Sequence, residues 1–109
     1  MTITQSQTPD SGVVQRAVGR YITDGVAAEF NITCGFKPRY VRVINVTSLD
    51  MMEWFEGMAN ASAIKTTAAT SAISLITSLG ITPLAKGFTI GLDLDVNVSA
   101  EQLSWIAFG

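Results

Sequence analysis

The chain has 109 residues, 48% of them hydrophobic and only 15% charged, where an ordinary globular domain carries roughly 25% charged residues. That length supports one core, and a domain of this size buries only about 60–70% of the surface its unfolded chain exposes, so association with copies or a partner relieves the remaining apolar surface. The seven Lys and Arg residues are scattered and the net charge is −2, which argues against nucleic-acid binding.

The elements follow in chain order. Residues 1–12 (MTITQSQTPDSG) are rich in Thr, Gln and Ser, carry Pro9 and Gly12, and show no apolar period; they predict an extended N-terminal arm. Met1 to Gln7 lack the basic region and apolar core of a signal peptide, and no apolar run is long enough to cross a membrane. Synthesis and retention in a cytoplasm are the expectation, with release by lysis. Val13 to Thr23 reads as a strand ending at Asp24-Gly25, a hairpin-turn dipeptide. Val26 to Phe36 reads as the next, stopped at Lys37-Pro38. Tyr40 to Thr47 is the clearest strand, nearly all β-branched or aromatic. Ser48-Leu49-Asp50 predicts a turn, and Met51 to Glu56 a further strand closed by Gly57.

Ala61 to Ser78 mixes alanine with Thr, Ser and Ile, so helix and strand both fit its first half. From Ile73 the series Ile73, Leu75, Thr77, Leu79, Ile81 repeats every two residues and predicts strand. Phe88 to Leu92 and Asp93 to Val98 read as one long strand or two joined at Gly91, and Gln102 to Phe108 as the last. Short segments separated by Gly, Asn and Asp turns predict an all-β, single-domain antiparallel β-sandwich, jelly-roll-like, over residues 13–109.

The candidates for chemistry are few. There is no histidine and one cysteine, which removes Ser-His and Cys-His nucleophile pairs and the usual zinc ligand sets. No Gly-rich phosphate loop is present. Glu53 and Glu56 flank Trp54-Phe55, but residues three apart in a strand point to opposite faces. Asp93, Asp95 and Asn97 resemble the start of a calcium loop, yet Val98 stands at its sixth position and Ser104 at its twelfth; alternation with Leu92, Leu94, Val96 and Val98 makes them the wet face of a strand. Cys34 reads as a buried small hydrophobe. The sequons at Asn31, Asn45, Asn60 and Asn97 have no secretion signal to give them meaning. The expectation is a protein that is not an enzyme and needs no cofactor or metal. Trp54, Phe55 and Trp105 are the aromatic candidates for an oligomer or ligand contact.

The run Gly35-Phe36-Lys37-Pro38-Arg39-Tyr40-Val41-Arg42-Val43-Ile44-Asn45, then Glu53-Trp54-Phe55-Glu56-Gly57-Met58, resembles small virion proteins of tailed bacteriophages. So do Gly87-Phe88-Thr89-Ile90-Gly91, Asp95-Val96-Asn97 and Leu103-Ser104-Trp105-Ile106-Ala107. The resemblance spans roughly Gly19 to Phe108, and such proteins look like capsid decoration (cement) proteins or small tail-associated β modules. It implies a β-sandwich, often a homotrimer, bound to the major capsid protein on the virion surface, with neither nucleic acid nor membrane as partner. A cement protein needs an apolar contact face and gains from an arm that orders on docking; Thr2, Ile3, Thr4 and Gln5 are the candidate capsid-contact residues of that arm. The alternative is a tail-associated carbohydrate- or receptor-binding β module that stacks sugars on Trp54 or Trp105.

Overall fold

The computed structural model describes residues 15–22 and 27–109; the arm and the Asp24-Gly25 turn lie outside them. The described residues form eight strands: β1 (Arg16–Ile22), β2 (Phe30–Thr33), β3 (Tyr40–Asn45), β4 (Met51–Phe55), β5 (Ser62–Thr67), β6 (Ala72–Leu84), β7 (Gly87–Ile90) and β8 (Gln102–Phe108). No helix occurs among them. The fold is all-β, and every pairing is antiparallel, in the single order β1-β8-β3-β4-β5-β6-β7-β2.

Alternation in β3 explains why this sheet curls. Val41, Val43 and Asn45 are fully buried, whereas Tyr40, Arg42 and Ile44 lie on the opposite face. Cross-strand register carries the same division outward: Val41 stands opposite Trp54 and Ala107, and Val43 opposite Met52 and Trp105. The inner row continues through Ala63, Ile81, Phe88 and Ile90. One apolar face on a continuous sheet can leave water only by turning on itself. The ends of the order accordingly meet. Tyr21 of β1 stacks on Phe30 of β2 with ring centroids 3.8 Å apart, and Phe88 of β7 meets Trp105 of β8 edge-on at 5.4 Å across the core.

Two glycines permit close approaches that a side chain would block. Gly19 lies beneath the Trp105 indole, where a Cβ would sit 2.6 Å from the ring. Gly87 packs against the backbone of Ile32 and Thr33 at the β2–β7 pairing, leaving no room for a Cβ.

Two sequence expectations are settled by pairing. The ambiguous stretch from Ala61 is strand: β5 pairs with β4 on one side and β6 on the other, and these ladders outweigh the helix propensity of its alanines. The two-residue period from Ile73 to Ile81 does not hold throughout. A bulge lies between the Ser62↔Ile81 and Ala63↔Ile76 pairs, with Leu79 at φ 61°, so Ile73 and Leu75 face out while Ile81 is fully buried. An inserted bulge changes which face the following residues occupy.

Asp93 to Val98 is a turn segment, not a strand, which corrects the expected wet strand face. The Asp93 carboxylate accepts the Asp95 N–H at 3.0 Å, and its carbonyl accepts the N–H groups of Val96 at 3.2 Å and Asn97 at 2.7 Å. Asp competes with the ladder in this way by offering the backbone local acceptors. Val96 and Asn97 are thereby buried, and Leu94 is turned out.

Candidate functional site

The two glutamates singled out in the sequence do not converge. Glu53 accepts a 2.8 Å hydrogen bond from the Tyr40 hydroxyl, while Glu56 pairs with Arg39 at 3.4 Å beyond the end of β4. Burial, together with the hydrogen bond and charge of Glu53, pushes the Tyr40 hydroxyl up to about 12. That arrangement holds a proton tightly at neutral pH, the opposite of what a general acid or base requires.

Asp93 and Asp95 are bridged by a cation the chain itself supplies. Lys65, on the inner side of β5, places Nζ 2.9 Å from Asp93 and 2.6 Å from Asp95. Burial opposes the Lys65 charge, but hydrogen bonds and attraction from Asp95 and Asp93 outweigh it and raise its pKa. The side chains of Lys65 and Asp93 are only 14% and 9% exposed, so the contact pins the turn segment across the open end of the sheet. Beside it Asn45, fully buried, donates from Nδ2 to the Val96 carbonyl at 3.0 Å and to Glu101 at 2.9 Å. Its Oδ1 accepts the N–H groups of Thr47 and Ser48. Asn97, also buried, donates to the carbonyls of Ala28 and Gly91. These are fastenings for loops.

The three aromatic candidates separate by face. Trp54 is 4% exposed, in the inner row, with its indole N–H donated to the Ala59 carbonyl at 3.2 Å. It is a core residue and presents no stacking platform. Trp105 packs on the core against Phe88 and Gly19. Phe55 alone of the three stands open, at 46% exposure on the outer face. The arm candidates Thr2, Ile3, Thr4 and Gln5 lie outside the described residues.

The outer face carries the broadest set of exposed apolar side chains among the described residues. One cross-strand row runs Val18–Ile106–Arg42–Glu53–Ile64–Leu75 over six strands, and a second runs Arg20–Ser104–Ile44–Met51–Thr66–Ile73. A shorter row joins Arg16, Phe108, Tyr40 and Phe55. Val18, Phe55, Ile73 and Leu75 are all exposed. At the centre a shallow hollow of about 250 Å³ is lined by Arg42, Ile44, Ser104, Trp105 and Ile106. Arg16, Arg20 and Arg42 stand on this face against the single carboxylate of Glu53, so it is locally positive on a chain of net charge −2. Water-facing sheet surfaces ordinarily alternate apolar-in with polar-out; here aliphatic residues stand on both faces.

Sequence reading missed this face because its residues are spread singly over six strands, and only register lines them up. The trace of it was in β3, where Ile44 breaks the polar side of an otherwise alternating strand. No protein-family model, curated protein or solved structure matches the chain.

Proposed function

We propose that the chain is a structural protein of a bacteriophage particle, a capsid decoration or cement protein that binds and stabilises the head shell as an oligomer. The observation that carries this reading is the broad outer face, where Val18, Phe55, Ile73 and Leu75 are exposed on the same side of the sheet as Arg16, Arg20 and Arg42. Binding a protein lattice repeatedly and without chemistry calls for such a surface: exposed apolar area to bury and a few charges to set the orientation. The chemistry it fits is an apolar patch flanked by carboxylates on the major capsid protein. In this reading the curled sheet packs its two halves in the manner of a sandwich, and three copies associate so that modest contacts add by avidity. In the same reading Thr2, Ile3, Thr4 and Gln5 are the candidate shell contacts, and the protein resides on the virion surface after synthesis in the host cytoplasm. The carbohydrate-binding alternative would stack sugars on Trp54 or Trp105, of which Trp54 is buried and Trp105 packs on the core.

The test is binding to heads assembled without this protein, followed by counting bound copies. Saturation at a number fixed by the lattice supports the proposal. Substituting Ile106→Glu or Ile44→Glu on the outer face should then weaken attachment at least tenfold, because a buried unpaired carboxylate is strongly disfavoured. No attachment by the unmodified protein overturns it.

A further inference from the structure

The β5–β6 hairpin leaves one side of a strand without a partner. From Ala72 to Ile76, β6 pairs with β5 only; β7 joins β6 at Ile81 to Leu84, and the last main-chain bond in that direction runs from the Gly91 N–H to the Gly80 carbonyl at 2.9 Å. Among the described residues, therefore, the second edge of Ala72–Ile76 is open. Proteins usually blunt such edges with Lys, Pro or an inward charge. This one carries none of these. No charged residue occurs between Lys65 and Lys86, the longest neutral stretch in the chain, and Pro83 lies in the part already paired with β7.

We infer that β6 pairs edge to edge with β6 of a second copy, antiparallel about a two-fold axis at Ser74. Three observations choose this occupant. An open backbone edge takes an extended strand. Copies of a chain with net charge −2 repel one another least where both contribute neutral residues, and this segment is neutral throughout. The register is also self-complementary, as a two-fold interface requires. Centred on Ser74, it sets Ala72 opposite Ile76 and Ile73 opposite Leu75 of the second copy. Ile73 and Leu75, now 72% and 66% exposed, become a cluster of four aliphatic side chains across the junction. The outer rows that end at Leu75 and Ile73 then continue into the second molecule as one sheet. This contact does not depend on the capsid reading.

A two-fold contact makes even-numbered assemblies: dimers alone, or hexamers where three-fold association operates as well. Light scattering on the full chain at its highest soluble concentration should give an even multiple of the 11.6 kDa protomer. The double substitution Ile73→Lys/Leu75→Lys, on exposed positions that leave the core untouched, should halve that mass. A monomer or trimer for the unmodified chain overturns the inference, as does an even mass that survives the lysines. Mild oxidation of Ser74→Cys in a Cys34→Ser background should give a disulfide-linked dimer, since directly opposed strand residues lie within bridging distance. Failure of that link overturns the register. Attachment to heads by a protein that is monomeric in solution would separate this outcome from the capsid proposal.

Discussion

At the scale of single residues, Lys65 bears the most consequence for the fold. Its ammonium replaces water around Asp93, whose side chain is 9% exposed, and touches Asp95, whose side chain is 56% exposed. Removing one partner of a nearly buried pair strands the other. Lys65→Met should therefore lower stability by about 2 kcal/mol, whereas Asp95→Ala should cost less than ~1 kcal/mol because that pair is screened by solvent. Adding Asp93→Asn to Lys65→Met should recover part of the loss, and urea unfolding of the three variants checks the coupling. Tyr40 provides a pH signature. Its folded pKa is raised from 10.0 to about 12, so its contribution is full below pH 10 and is lost as pH rises toward 12. Tyr40→Phe removes a hydrogen bond to a charged group, lowering stability by roughly 1–2 kcal/mol at neutral pH. It should also make the alkaline fall between pH 10 and 12 shallower, as read from melting temperatures across that range.

At the scale of elements, the β2–β7 pairing is the most sensitive joint. Strand β2 has four residues and is held by β7 alone, with Phe30 also stacked on Tyr21. Gly87 lets the β7 backbone lie against Ile32. Gly87→Ala forces those strands apart, and a destabilisation of about 2–3 kcal/mol follows, in the range of overpacked sites. Amide exchange should locate the effect: protection falls at Phe30–Thr33 and Gly87–Ile90 while β3 and β4 keep theirs, because local opening follows the weakened unit. Protection lost uniformly would show instead that the sheet opens as a whole. The β5–β6 hairpin differs in kind. Beyond the bulge Ile73 and Leu75 are exposed, so substitutions at these two positions should alter association more than stability.

At the scale of the whole molecule, two surfaces share the task of covering apolar area: the outer face over six strands and the open edge of β6. The low charge fraction makes both sticky, and each has a distinct expected occupant. Deleting residues 1–12 separates the arm from them. Attachment to heads should fall at least tenfold, with melting temperature unchanged and oligomeric mass preserved, because an arm that orders on docking adds contacts only in the bound state. Equal attachment by the truncated chain would remove the arm from the contact.

The sequence by itself determined the β class and the turns near Ser48–Asp50 and at Gly57, since β propensity and turn residues act over a few neighbours. It also made visible how few groups could do chemistry, because missing histidines need no fold to interpret. Tertiary structure alone decided the rest. Whether Ser62–Thr67 became strand depended on the ladder offered by β4, and whether Ile81 faced in depended on the bulge between Ile76 and Ile81. Asp93 and Asp95 acquired their meaning from Lys65, 28 and 30 residues away. The outer face exists only through register, which brings Val18, Ile106, Ile64 and Leu75 into one line from four separate strands. Local pattern fixes which face a side chain takes; pairing between distant strands fixes what stands beside it.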